Sequence, residues 1–278
     1  MEEGGLRLST AMEVPGAGVV RFRLSEHEGG VLLEAPGRPP AAVRRCLETA
    51  ARRILRLDLD LRPFYDLALA DEHLSWVADV GAGRLMRCPT AWEDVVKLVL
   101  TTNCSWALTT RMCTKLVDLW GTAAPCTGDG RAFPGPEALA AAGKSALRDR
   151  AKVGYRAPYL AELARRVSAG EYDPERWEHD DRPAADLRKE MLTLPGVGPY
   201  VAENLLKMVG RPEGLALDSW MRKKYSETYH GGRPVTDRTI ARRYRGYGSW
   251  AGLAIWCDLT RDWILANGEP SAAWDDLA

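Results

Sequence analysis

One carboxylate, Asp218, opens the stretch Asp218-Ser219-Trp220-Met221-Arg222-Lys223-Lys224-Tyr225, twenty residues after the second glycine of Leu194-Pro195-Gly196-Val197-Gly198-Pro199. An aspartate at the start of a helix can cap it by accepting a backbone N–H. It can also stabilise positive charge in a transition state or orient a water. The residue type alone leaves both roles open. The glycine-proline run admits fewer readings. Gly196 and Gly198 permit positive φ and close backbone approach, Pro199 suits the first position of a helix, and Val197 can plug the gap between two helices. The expected product is a tight hairpin that leaves amide groups at a helix N-terminus, an arrangement that binds a phosphate without reading sequence.

Other groups with chemistry are scattered. Tyr200, Trp220 and Trp256 are aromatic surfaces suited to stacking, or to a core. Asn204 lies one helical turn after Tyr200, and Lys207 lies seven residues after it, on the same face but about 10 Å along the axis. Lys207 therefore reads as a solvated lysine. Cys46, Cys88, Cys104, Cys113, Cys126 and Cys257 form no CxxC pair, and His27, His73, His179 and His230 are isolated. A metal or redox enzyme finds no ligand cluster here, so reduced thiols, no metal and no cofactor are expected.

The elements that must position these groups are readable from periodicity. Residues 1–36 alternate as short strands broken by Pro-Gly and Gly-Gly, and 41–56 reads as an amphipathic helix. A small α+β domain over 1–60 is expected, followed by a helical body over 61–278. In that body, Thr90 with Glu93 forms a capping box, Gly121 and Gly170 end helices, and 122–136 reads as a loop. Helical segments over 186–193 and 200–209 flank the hairpin, giving a helix-hairpin-helix over 186–209. The fold class is thus mainly α with a small α+β N-terminal domain.

The 278 residues, 46% hydrophobic and 27% charged, suit a soluble globular chain. No apolar run approaches a membrane span, and the acidic start is no signal peptide. A cytoplasmic monomer is expected, nucleoid-associated if bacterial. Net charge is zero, which argues against an indiscriminate nucleic-acid binder. The basic runs around 148–156, 222–224 and 238–245 read individually as solvated faces.

The hairpin followed by Asp218 resembles the helix-hairpin-helix superfamily of base-excision DNA glycosylases. Three further stretches are similar to its 8-oxoguanine branch: residues 57–121, Lys152–Leu160 (KVGYRAPYL) and Gly248–Leu259 (GSWAGLAIWCDL). The resemblance spans about 57–265 and implies a helix-hairpin-helix DNA glycosylase architecture, duplex DNA with a damaged or modified base as partner, and Asp218 as the catalytic carboxylate. It implies that Gly196, Val197 and Gly198 grip DNA and that Asn103 contacts the orphaned opposite base. Tyr155 would fill the gap left by the extruded base, and Arg156 would contact the opposite strand. Trp256 keeps the aromatic that stacks on the base.

The departures are informative. Where the branch keeps a lysine that forms a Schiff base, this chain has Tyr200, which cannot form an imine. That implies water as nucleophile and an abasic product. Gly252 replaces a glutamine that reads the base edge, Trp220 a histidine, and Asn204 a cysteine. The expected pocket is aromatic, roomier at Gly252 and short of an edge reader, suited to an alkylated purine, an oxidised base or a bulkier modified base. The alternatives are a bifunctional glycosylase/lyase using another amine, and a non-catalytic helix-hairpin-helix DNA-binding protein.

Overall fold

The computed structural model describes residues 7–124 and 130–266; Cys126 lies outside them. In chain order the elements are β1 (Arg7–Val14), β2 (Gly18–His27), β3 (Gly30–Glu34), α1 (Ala41–Leu55), α2 (Arg62–Leu69), α3 (Trp76–Asp79), α4 (Ala91–Leu100), α5 (Trp106–Trp120), α6 (Pro136–Asp149), α7 (Ala157–Ser168), α8 (Ala184–Met191), α9 (Pro199–Met208), α10 (Ser219–His230), α11 (Asp237–Tyr244) and α12 (Ala251–Ala266). Contacts divide the chain into two compact units. One holds the residues up to Leu57 together with Arg87–Glu175, and the other Asp58–Met86 together with the described residues from Arg176 onward.

In the first unit the three strands form one antiparallel sheet in the order β1-β2-β3. Alternation along β2 turns Phe22 and Leu24 inward and Arg21 and Arg23 outward. The inward pair meets Val43, Leu47 and Ile54 of α1. Glu28 and Gly29, both at positive φ, make the two-residue turn between β2 and β3 that the sheet twist favours. A buried ion pair, Arg53 to Asp94 at 2.8 Å, ties α1 to α4.

Thr90 caps α4 as the sequence predicts, its hydroxyl accepting from the Glu93 N–H at 3.2 Å. The reciprocal bond from the Thr90 N–H to the Glu93 side chain is not made, and a different carboxylate serves the next two amides. The Glu93 carboxylate turns to Lys97 at 2.7 Å, and the amides of Ala91 and Trp92 donate instead to Glu175, 2.9 and 3.0 Å away. A carboxylate 84 positions along the chain thus satisfies the helix end, which no local pattern reveals.

The second unit is organised around α12, which is buried along nearly its whole apolar run. Its core joins Phe64, Leu74 and Val77 to Tyr225, Ile240, Tyr244 and Leu253. Asp258 of α12 is a buried carboxylate that accepts from the hydroxyls of Tyr229 at 2.6 Å and Tyr244 at 2.7 Å. Both bonds fall on Oδ2, and pairing that oxygen makes its burial tolerable. No described helix is long and apolar enough to cross a membrane.

Candidate functional site

The hairpin forms as its residues dictate. Helix α8 ends at Met191 and α9 begins at Pro199, with Gly196 at φ 81° in the left-handed region that a side chain disfavours. Leu194 and Val197 are buried, so the plug is in place, and the Val197 N–H closes the turn on the Leu194 carbonyl at 3.1 Å. Gly198 is the N-cap residue of α9 and brings no capping side chain.

Along α9, Tyr200 and Asn204 are half-buried, and the Asn204 amide nitrogen donates to the Tyr200 carbonyl one turn back, at 3.0 Å. Asp218 is the N-cap of α10, its Oδ1 accepting from the Met221 N–H at 2.7 Å. The bond fixes the carboxylate and occupies one oxygen. Trp220, two residues on, is 48% exposed. Trp256 is half-buried and packs against the core of this unit.

Two expectations fail here. Lys207 is not solvated: it is 2% exposed, with its Nζ donating to the Leu215 carbonyl at 3.3 Å. Burial is the main cause that pulls its pKa down to about 8, against the opposing pull of Glu203 and Asp218. Gly252 is not a spacious pocket wall. A Cβ built there would lie 1.9 Å from the Gly214 carbonyl oxygen and 2.7 Å from Lys207 Cε. The side-chain space that a glutamine would need is filled by backbone and by the lysine stem. A glycine inside an otherwise apolar helix is the one sequence signal that marks such a close approach.

In the first unit the chain gathers Asn103, Tyr155 and Arg156 at one corner. Asn103, at φ 49°, donates from Nδ2 to the Tyr155 hydroxyl at 3.1 Å, and that hydroxyl reaches the Thr102 carbonyl at 3.3 Å. Tyr155 remains 53% exposed. Arg156 departs from its expected part. It is 4% exposed, and its guanidinium donates to the Thr102 carbonyl, to Thr102 Oγ1 at 3.3 Å and to the Val153 carbonyl at 3.4 Å. It also lies 4.6 Å from the Tyr155 ring centroid. Its donors are engaged within the protein, and its guanidinium backs the Tyr155 ring. The residue that draws it inward is Thr102, a polar residue just past α4.

Among the described residues no group of three or more His, Cys, Asp or Glu side chains could hold a metal.

The mainly helical chain with its small three-stranded sheet, and its similarity to the proteins that follow, make it a DNA glycosylase of the base-excision type. The chain belongs to the HhH-GPD superfamily of base excision DNA repair proteins, whose pattern it matches over residues 96–248. It is 32% identical over 249 residues to a probable N-glycosylase/DNA lyase of Methanothermobacter thermautotrophicus, covering 81% of this chain and 77% of that protein. Among solved structures it is similar to a 3-methyladenine DNA glycosylase from Archaeoglobus fulgidus, with a TM-score of 0.74, 18% identity and coverage of 93% and 88% of the two chains. It is also similar to the apo form of a Clostridium acetobutylicum 8-oxoguanine glycosylase/lyase, with a TM-score of 0.70, 17% identity and coverage of 90% and 87%. At those identities it is the fold that is shared.

Proposed function

We propose that the protein is a monofunctional DNA glycosylase that removes an alkylated purine from duplex DNA, with Asp218 as its catalytic carboxylate and water as its nucleophile. The observation that carries this reading is the pairing of Tyr200 on the first turn of α9 with Asp218 at the N-cap of α10. The hairpin backbone grips a phosphate through the N-terminus of α9. Tyr155, exposed and braced by Arg156, enters the stack as the base leaves it, against a cost of a few kcal/mol for unpairing and unstacking. Asn103 at the same corner faces the base left behind.

In the chemical step the C1′–N bond breaks, the base departs with the bonding pair, and positive charge grows on the sugar. The carboxylate of Asp218 stabilises that charge. Its Oδ1 is held by Met221, and Oδ2 is the oxygen assigned to the sugar and the attacking water. Water adds to C1′ and passes a proton to the Asp218 carboxylate, leaving an abasic site. A tyrosine hydroxyl cannot form the imine that strand cleavage requires. The aromatic faces of Tyr200, Trp220 and Trp256 favour a cationic, electron-poor ring through stacking and cation–π attraction. With the space at Gly252 filled, a bulkier base has no support, and an edge reader at that position has none either.

The test is a panel of duplexes each bearing one lesion, 3-methyladenine and 8-oxoguanine among them, analysed with and without alkali. Breaks that need alkali, with alkylated purines cut fastest, are the expected result. Breaks without alkali, or a protein–DNA adduct trapped by borohydride, overturn the monofunctional reading.

A further inference from the structure

The segment that delivers Asp218 runs from the end of α9 to the start of α10 and is held from both sides. From α9, Glu203 Oε2 accepts the Ala216 N–H at 2.6 Å, and one turn later Lys207 Nζ donates to the Leu215 carbonyl at 3.3 Å. From α12, the Gly252 N–H donates to the Pro212 carbonyl at 2.7 Å. Ala216 is 1% exposed and sits at φ 51°, a left-handed conformation that an alanine keeps only when its surroundings impose it. The missing side chain at Gly252 is what lets the segment approach: the Gly214 and Pro212 carbonyls and Lys207 Cε occupy the volume a side chain would take.

A buried lysine is a costly way to fill that volume. Leucine or methionine would pack there without desolvating a charge. The groups that face this ammonium are Glu203 on its own helix, Asp218 on the delivered segment and the Cys257 thiol on α12. It bonds to the Leu215 carbonyl, three residues before Asp218, and the charges of Glu203 and Asp218 both favour its protonated form.

We propose that Lys207, seated in the space left by Gly252, is the positioning residue for Asp218: it fixes the Leu215 carbonyl and counterbalances the carboxylate, without touching substrate. The proposal rests on Asp218 being the catalytic carboxylate. It gives Gly252 a different purpose from reading or admitting a base, and makes positions 207 and 252 a dependent pair.

The experiment compares the full-length wild type with Lys207→Met and Asp218→Asn. Single-turnover excision is measured on whichever single-lesion duplex of the panel the wild type cuts fastest, affinity on a duplex with a tetrahydrofuran abasic analogue, and stability by thermal melting. For Lys207→Met the expected result is excision slowed at least tenfold, affinity within about twofold of wild type, and a melting temperature equal to or above wild type. A merely structural lysine would not separate rate from stability in this way. Should the Met variant not fold, Lys207→Gln, which keeps a donor without the charge, carries the same comparison. Wild-type excision in the variant, or a rate and a melting temperature that fall together, overturns the proposal. Full activity of Asp218→Asn removes the catalytic aspartate itself, a distinct outcome from an inactive Asp218→Asn beside a fully active Lys207→Met.

Discussion

Asp218 has two duties, capping α10 and, on the proposed reading, meeting the sugar, and one substitution separates them. Asparagine keeps a side-chain oxygen for the Met221 N–H and caps nearly as well as aspartate, but it removes the charge. Asp218→Asn is therefore expected to melt within a degree or two of wild type and to lose at least a hundredfold in single-turnover excision, a penalty of about 3 kcal/mol in the barrier. Tyr155 poses the complementary case. Being 53% exposed, it can be truncated without opening a core, so Tyr155→Ala is expected to leave folding intact and slow excision from a fully paired duplex. The loss shrinks when the lesion sits opposite a mismatch, where less unstacking is needed. Excision rates on the two duplexes check this.

The α4 terminus shows how an element depends on a distant residue. Both amides of its first turn that follow Thr90 donate to Glu175. Glu175→Ala leaves them unpaired and removes a negative charge from the positive end of the helix, at a cost of about 1–2 kcal/mol. A lowered urea midpoint with an unchanged slope is the expected signature. The hairpin gives a different element-scale expectation. At φ 81°, Gly196 resists a Cβ, and Gly196→Ala costs on the order of 1 kcal/mol in stability. Its larger effect falls on duplex affinity, read by titration against an undamaged duplex.

For the whole molecule, zero net charge means that duplex binding depends on a few local contacts. Several clustered cations are already paired: Arg222 with Asp237 at 2.7 Å and Lys224 with Asp262 at 3.0 Å. Affinity is expected to fall with salt by only a few log units per log unit of salt, at about 0.9 per phosphate contacted. Gly196→Ala should reduce that slope by about one. Stability also carries a mark of Lys207. Its folded-state pKa is lowered to about 8 from 10.5, so below pH 8 it is protonated in both states and the burial penalty is fully present. As pH rises from about 8 to about 10.5 the folded state sheds the proton first and the penalty fades. The difference amounts to something on the order of 3 kcal/mol. The gap in stability between Lys207→Met and wild type is therefore expected to narrow from pH 7 to pH 10, as urea midpoints at the two values would show.

The strands, several of the helices and the hairpin are legible in the sequence because they are local, whereas α2, α3 and α6 are not read there. Alternation along residues 1–36 predicts short strands, which form over Arg7–Val14, Gly18–His27 and Gly30–Glu34. The Pro-Gly-Val-Gly-Pro run specified a helix end, a positive φ and a helix start within eight residues, and Asp218 announced a helix N-cap. The resemblance carried by those motifs named the family that the comparison then showed. What the tertiary structure alone decided lies where segments far apart in the chain meet. Lys207 looked solvated because its helix face continues that of Tyr200, yet the segment before Asp218 folds over it. Gly252 reads as an opening because it lacks a side chain, whereas the Gly214 carbonyl and the lysine stem fill that space. Arg156 carried the charge of a strand contact but turns its donors onto Thr102, 54 positions earlier. In each case periodicity told which face a residue occupies, and only the packed neighbours told what that face meets.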